Sequence, residues 1–347
     1  MCLAAVFLAA SCANGQLGGD LPQQEGYCEA EFRIYGEGTR VTGISASDEA
    51  KVNHWALFVF ETRDGALVAS GAAASPAPIR KTLPTSDYRA YALVNYPLSG
   101  SDAVNPDTIL TEDDLKGTVA QLADNSPASL EMFGAADITL RAGAETETIP
   151  VERLVAKVSL KKITVGLTNP ALAAQTFTLR GIWMDNVYAR TAFGFDYGAS
   201  QLSDKCFQWY NAMDWHAAGS CQSPACPDEL LGERGIDIIV PQGASHAVAH
   251  CFYVTPNVIP AVMDNRSGVW SKRCTRLVIL ASIGAKSCYY VISLPGLQRN
   301  HSYTIEEAII TQPGSEDPEQ EVSGSLTLSF SSSDPDWEGP WIVSEAS

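Results

Sequence analysis

The sequence predicts a mainly β protein that folds as two sandwich domains. Its 347 residues are long for one domain and suit two of ordinary size. Hydrophobic residues make up 46% of the chain and charged residues only 18%, which is too apolar for a disordered chain. Short apolar runs separated by turn residues recur in both halves, a pattern typical of sandwich strands.

Residues 27–35 form the most regular alternating run. Its apolar face consists of Cys28, Ala30, Phe32 and Ile34. Charged residues lie between these positions, so the run predicts a half-buried strand. Residues 55–60 are apolar at every position, as in a strand buried on both faces, and Asp64-Gly65 predicts a hairpin turn after them.

One short helix is predicted in the first half. Thr111 can cap it, with Asp114 three residues later, and Leu115, Val119 and Leu122 recur on one face. We expect this helix to pack across one end of the first sandwich.

The predicted domain boundary lies near Thr168-Asn169-Pro170, a turn signal. It separates a first sandwich, residues 41–168, from a second, residues 169–347. Residues 154–165 suit helix and strand about equally by spacing, and their β-branched content favours a strand. Further strands are predicted at 177–188, 237–240, 246–254, 275–281, 288–294, 303–311 and 323–330.

Residues 1–11 predict an export signal that ends at a lipobox. They are apolar or small, and small side chains precede Cys12, which would carry the lipid after cleavage. No Lys or Arg precedes the apolar run, so an ordinary secretory signal with an incidental cysteine stays as the alternative. No other segment is long and apolar enough to span a bilayer as a helix, so we expect attachment by lipid.

Seven cysteines remain once Cys2 and Cys12 are set aside. Cysteines of an exported protein can pair, and Cys28 would be left without a partner. The candidates for disulfides in the second half are Cys206, Cys221, Cys226, Cys251, Cys274 and Cys288. Their connectivity stays open.

Charge and motifs exclude several functions. The net charge is −17 and no Lys/Arg run interrupts it, which argues against a nucleic-acid partner. No nucleophile elbow, Walker loop, His-Glu-x-x-His or dinucleotide fingerprint occurs, so we predict no enzyme and no cofactor.

Histidines and aromatic residues leave two weaker alternatives. His246 and His250 beside Cys251 permit a zinc site, as does His216 near two cysteines, but the spacing is not C-x-x-C and export favours disulfides, so we predict no metal. Exposed aromatic side chains can bind sugar, although core packing is their commoner role. The candidates are Trp209, Tyr210, Trp215, Trp337 and Trp341.

Several strings, in order along the chain, carry a resemblance to one family. They are the lipobox at Cys12, then residues 38–40, 55–65, 83–97, 149–158, 177–188, 297–303 and 312–318, and a terminal strand leading to Trp337. With these strings the sequence resembles the fimbrillins, the subunits of the type V pili of Bacteroidetes outer membranes.

The resemblance implies transthyretin-like sandwiches that polymerise by strand exchange. Residues 12–40 would be a lipidated propeptide that includes the first strand, and an Arg-specific protease would cut after Arg40, with Arg33 and Lys51 as rival sites. The freed groove would then accept a neighbour's C-terminal strand. The donor side chains would be Leu326, Leu328 and Phe330.

The resemblance therefore implies a cell-surface fimbria that supports adhesion. The expected partners are other fimbrial subunits in a homo- or heteropolymer, the protease, and the outer membrane through the lipid. A tip or anchor subunit that is never cut, in which the first strand is permanent, is one alternative. A lipid-anchored glycan-binding surface protein is another, and an enzyme of unknown type is the third.

Overall fold

The computed structural model describes residues 26–36, 49–74, 76–99, 104–194, 207–211, 214–218, 227–258, 274–318 and 320–330. These residues form two β-sandwiches, as predicted. Cys12, Arg40, Cys206, Cys221 and Cys226 lie outside the described residues.

The first sandwich is built from two sheets that share one long strand. Its strands, with the small β6, are β1 (Tyr27–Gly36), β2 (His54–Glu61), β3 (Leu67–Ala74), β4 (Ile79–Pro84), β5 (Asp87–Val94), β6 (Val119–Gln121), β7 (Met132–Thr139) and β8 (Gly143–Arg153). The sheets run β3-β2-β5-β7 and β4-β1-β8. They are joined because β8 pairs with β1 along most of its length and with β7 at its end. Gly134 permits this close crossing, since a Cβ there would lie 1.7 Å from the Pro150 carbonyl oxygen.

Strand β2 is buried on both faces, as its continuous apolar run predicts. Trp55, Leu57 and Val59 face the interior of the sandwich. Ala56, Phe58 and Phe60 face a second apolar layer that covers the outside of the sheet.

The predicted helix is present but shorter than expected. Helix α1 (Glu112–Gly117) begins with the predicted capping box between Thr111 and Asp114. It ends at Gly117, so Val119 belongs to β6 and the shared helical face predicted with Leu122 is wrong. Leu115 packs in the layer outside β2 and β5, so the helix covers a face of the sheet and not an end of the sandwich. Two 3₁₀ turns, Pro106–Thr108 and Leu122–Asp124, flank this region.

The second sandwich contains the remaining elements. They are β9 (Ala156–Leu160), β10 (Ile163–Val165), α2 (Pro170–Ala173), β11 (Phe177–Asp185), β12 (Val187–Tyr188), β13 (Arg190–Ala192), β14 (Phe207–Asn211), β15 (Asp214–Ala218), α3 (Asp228–Leu231), β16 (Gly232–Ile239), β17 (Ser245–His246), β18 (His250–Val254), β19 (Thr275–Ile283), β20 (Lys286–Leu294), β21 (Ser302–Ile310) and β22 (Leu326–Phe330). One sheet runs β16-β11-β19-β20. In the other, β9 and β10 follow one another along one side of β21, and β22 lies on its other side. A small sheet of β12, β14 and β15 completes it, while β13 pairs with β6 of the first half.

The domain boundary lies earlier than predicted. Residues 154–165 do form strands, but β9 and β10 pair with β21, β17 and β18 of the second sandwich. The change of sandwich therefore falls between β8 and β9, and the turn signal at Thr168–Pro170 marks the start of α2 instead. The partners that decide this lie far along the chain, so local spacing does not indicate it.

The cysteines of the described part are free thiols. Cys28, Cys274 and Cys288 are buried and Cys251 is exposed. The disulfides considered for Cys251, Cys274 and Cys288 are therefore not present, and the two buried thiols of the second sandwich pack as small apolar side chains. In the same residues, no helix is long and apolar enough to cross a membrane.

Candidate functional site

The candidate site is the place of β1 between β4 and β8, which we call the strand slot. β1 pairs antiparallel with β4, from Tyr27 opposite Pro84 to Phe32 opposite Ile79. On its other side it pairs parallel with β8. A strand supplied by the first described residues therefore fills an interior position in a sheet, and its backbone is bonded on both edges.

The inner face of β1 is part of the core. Cys28 and Phe32 are 0% exposed and Ala30 is 1% exposed, while Ile34 is partly buried against the same cluster. Burial is the main cause that raises the pKa of the Cys28 thiol, and the negative charge of Glu145 acts in the same direction. The thiol therefore behaves as a neutral apolar group that fills the slot.

The outer face of β1 carries an ion cluster. The guanidinium groups of Arg33 and Arg80 each lie 2.5 Å from the carboxylate of Glu31. Hydrogen bonds from Arg33 and then Arg80 lower the pKa of Glu31. Both arginine side chains are largely exposed, so the cluster contributes little to the stability of the strand compared with the buried face.

The predicted donor strand has a different environment. β22 pairs antiparallel with β21, from Leu326 opposite Ile310 to Phe330 opposite Ile305. Leu326, Leu328 and Phe330 are only partly buried against the core of the second sandwich. In the described part of the chain, β21 is its one strand partner.

Glu49 anchors the first residues of the described segment that follows β1. Its carboxylate accepts hydrogen bonds from the Lys157 ammonium at 2.8 Å and the Tyr253 hydroxyl at 2.5 Å. Its carbonyl accepts one from the Arg153 guanidinium at 3.0 Å. Glu49 is 6% exposed, which is unusual for a carboxylate. No local signal marks it, because its three partners lie more than a hundred residues away.

The rival cleavage residues are held in ordered structure. Arg33 lies within β1, which is paired on both edges. Lys51 lies two residues after the buried Glu49, and its carbonyl accepts a hydrogen bond from the Asn95 side chain at 2.8 Å. A protease would have to break backbone hydrogen bonds to reach either residue.

The aromatic residues considered for sugar binding are not exposed where the structure describes them. Trp209 is 5% exposed and Tyr210 is 0% exposed, so both belong to the interior of the second sandwich. Trp337 and Trp341 lie outside the described residues, as does the side chain of Trp215. A groove over the outer face of β1 is lined by charged and small residues such as Glu29, with no aromatic ring.

The histidine cluster considered for zinc is only partly assembled. The Nε2 atoms of His246 and His250 lie 3.1 Å apart. Cys251 is turned away from them, with its Sγ 3.5 Å from the Ser159 hydroxyl. Within the residues that the structure describes, no cluster of three or more metal-ligating side chains occurs.

Several solved structures share this architecture. A "putative cell adhesion protein" from Bacteroides eggerthii aligns over 90% of this chain and 97% of its own, with a TM-score of 0.62 and 18% identity. A fimbrilin from Porphyromonas gingivalis aligns over 87% of this chain and 96% of its own, with a TM-score of 0.56 and 15% identity. The fold is fimbrillin-like.

A further likeness extends over both sandwiches. A second protein described in the same words as the first, from Parabacteroides distasonis, covers 88% of this chain and 98% of its own, with a TM-score of 0.59 and 17% identity. No family model matches the sequence, and no curated protein matches it. The fimbrillin-like likeness is therefore one of fold.

Proposed function

We propose that the protein is a structural subunit of a cell-surface fimbria that polymerises by donor-strand exchange and supports adhesion. The observation that carries this proposal is the strand slot, in which an N-terminal strand completes the interior of a sheet. Such a strand keeps a precursor soluble, and its removal makes the subunit competent to bind a strand from elsewhere. The role is structural and requires no catalytic activity.

Processing after Arg40 is the first step of the proposal. Arg40 is the one Arg or Lys in residues 37–48, the stretch between the end of β1 and the buried Glu49. Arg33 and Lys51 are tied into ordered structure on either side, which supports Arg40 as the site for an Arg-specific protease. Before the cut, lipid on Cys12 would hold the exported precursor at the outer membrane, with residues 1–11 removed as the signal.

Loss of β1 makes the slot a high-energy surface. The facing edges of β4 and β8 lose their backbone partners, and the apolar positions of the core around Phe32 meet water. Full burial of each large apolar side chain contributes about 1.5–3 kcal/mol. A replacement strand with apolar residues at every second position restores both the hydrogen bonds and the burial.

The C-terminal strand of a neighbouring subunit is the proposed replacement. Leu326, Leu328 and Phe330 have the spacing that the slot requires, and they are only half-buried in their own sandwich. Moving from a sheet edge to a slot therefore increases their burial. Because donor and acceptor are different surfaces of the chain, the contact repeats without closing and builds a filament from identical or different subunits.

The test is controlled cleavage of the purified precursor with an Arg-specific protease. We expect the wild-type chain to lose its N-terminal strand and to form ladders on gels and filaments in electron micrographs. Arg40→Ala should stay uncut and monomeric. Arg63→Ala, which changes an exposed arginine in the turn between β2 and β3, is the matched control and should assemble normally.

A second arm tests the donor. A chain that lacks residues 323–347 should be cut normally but remain monomeric. Filaments formed by this truncated chain would refute β22 as the donor, and filaments formed by Arg40→Ala would refute the processing site. A wild-type chain that is cut after Arg40 and never assembles would contradict the proposed function itself.

A further inference from the structure

The strand slot requires side chains of different sizes at different positions. On its inner face Ala30 lies between Lys81 of β4 and Glu145 of β8, and it is 1% exposed. Phe32, two residues later on the same face, is 0% exposed. Because both positions are fully enclosed, the slot accepts a small side chain in the row of Ala30 and a large one in the row of Phe32.

The segment that contains β22 has one small residue on its apolar face. In an extended segment the residues on that face are Val322, Gly324, Leu326, Leu328 and Phe330. Any of the three from Leu326 onwards would overpack the row of Ala30. The other face would bring serine and threonine hydroxyl groups into an apolar core. Gly324 is therefore the residue of the segment that fits the row of Ala30.

With Gly324 in that row, the whole segment matches β1 when it runs in the same direction. Residues 322–328, VSGSLTL, then replace residues 28–34, CEAEFRI, one for one. The inner face of both segments has a residue of intermediate size, then a small one, then two large ones. On the outer face hydroxyl side chains replace three charged ones and stay in contact with water. The opposite direction would put Val322 in the row of Phe32 and leave a cavity there.

The segment is not extended in its own sandwich. Gly324 lies in a turn with a φ of +75°, in the left-handed region that favours glycine. The Ser325 amide donates to the Val322 carbonyl at 3.1 Å within this turn, and β22 begins only at Leu326. The turn must therefore open before residues 322–325 can enter a slot. Glycine adopts both conformations at no steric cost.

We propose that Gly324 sets the register of the donor strand, so that residues 322–328 of one subunit replace residues 28–34 of the next. This inference rests on the proposed function, because it requires that a C-terminal strand fills the slot. It adds which residues become neighbours. Ser325 replaces Glu31 and lies beside Arg80 of the accepting subunit, since Glu31 is the partner of Arg80 in the precursor.

Cross-linking of the full chain after protease treatment measures the register directly. Directly opposite residues of an antiparallel pair have Cα atoms about 4.5–5.5 Å apart, which a disulfide can span. The double variant Arg80→Cys, Ser325→Cys should form disulfide-linked ladders on non-reducing gels after mild oxidation. In the matched control, Arg80→Cys, Thr327→Cys, the second cysteine is displaced by two residues, so the chain should assemble without cross-links. Each single variant gives the background from the native thiols.

Substitution of Gly324 tests the small row. Gly324→Ala and Gly324→Leu are both strained in the left-handed turn, so both disturb the donor's own sandwich. Only leucine overpacks the slot. The alanine variant should assemble as the wild type does, and the leucine variant should be cut normally but assemble at least tenfold more slowly. Light scattering gives the rates, and electron microscopy identifies the filaments.

The outcomes separate the register from the fimbrial proposal. Filaments that cross-link through Thr327→Cys and not through Ser325→Cys would overturn the register and leave the proposed function standing. Normal assembly of Gly324→Leu, or equal slowing of both Gly324 variants, would overturn the role of Gly324, because the slot would then not select by size. A wild-type chain that is cut and never assembles would refute the proposed function and the register with it.

Discussion

β1 and β22 have the same alternating pattern but different surroundings. β1 lies inside a sheet, is paired on both edges, and has three side chains at 0–1% exposure. β22 lies beside β21 only, among the described strands, and its apolar side chains are half-buried. Under the proposed function, the strand that must be removed is thus the tightly held one, which explains why cleavage and not spontaneous release would start assembly.

The largest expected effect distinguishes the two strands directly. Phe32→Ala should destabilise the uncut precursor by about 3–5 kcal/mol, because it leaves a cavity in a fully buried position. Phe330→Ala should cost only about 1 kcal/mol there, since this side chain is only partly buried. Urea unfolding of both variants measures this difference. In cut and assembled material, Phe330→Ala should cost more stability than Phe32→Ala. Equal losses of stability for the two variants in the uncut chain would contradict the comparison.

The contacts of Glu49 should contribute nearly as much to the free energy of unfolding as the buried side chains of β1. Glu49→Ala leaves the Lys157 ammonium and the Tyr253 hydroxyl without their buried carboxylate partner, so we expect a loss of about 3 kcal/mol. Glu306→Ala, which removes an exposed pair with Lys161, is the matched control and should change little. The loss should be equal in uncut and cut protein, because Glu49 follows the proposed cleavage site. A loss confined to the precursor would show that the anchor depends on β1.

A change of pH should alter the stability of the first sandwich and should have no direct effect on β22. Glu131, immediately before β7, is 0% exposed, and burial raises its pKa to about 8 from an ordinary value of 4.5. Asn125 donates to one carboxyl oxygen at 3.0 Å, and the other oxygen has no hydrogen-bond partner. The group is therefore protonated in the folded state and ionised in the unfolded state at neutral pH.

The sign of the pH effect follows from this difference. The proton that Glu131 binds more tightly in the folded state contributes fully to stability below pH 4.5, and this contribution is lost as the pH rises towards 8. The free energy of unfolding should therefore fall by about 2–3 kcal/mol between pH 5 and 7. Glu131→Gln should abolish this slope, whereas Glu152→Gln, an exposed control, should retain it. Denaturant unfolding at the two pH values measures both slopes. An unchanged slope in Glu131→Gln would contradict the assignment.

The outer face of β1 should give the smallest effect. Glu31→Gln weakens the contacts with Arg33 and Arg80, but these arginine side chains are 58% and 77% exposed, so solvent replaces much of what is lost. We expect a slight shift of the unfolding midpoint that disappears at high salt. A shift as large as that of Phe32→Ala would mean that the charged face, and not the buried face, holds β1 in the slot.

Local patterns indicated much of the fold. The alternation in residues 27–35 predicted the inner face of β1, and the capping residues Thr111 and Asp114 predicted the start of α1. The continuous apolar run at 55–60 predicted burial of β2 on both faces. Each of these signals depends on neighbours within a few residues, where side-chain periodicity and capping act.

Tertiary structure decided the features that depend on distant partners. Glu49 is buried by Lys157 and Tyr253, and β9 belongs to the second sandwich because of β21, although neither relation has a local signal. The contact between His246 and His250 depends in the same way on the pairing of β17 with β10 and of β18 with β9.

The two alternating strands show this limit most clearly. Sequence alone assigned apolar side chains to one face of residues 27–35 and of residues 323–330, because a strand directs every second side chain the same way. It did not distinguish an interior strand from an edge strand. That distinction depends on how many strands pair with each one, and β1 gains its second partner, β8, from residues more than a hundred positions later in the chain.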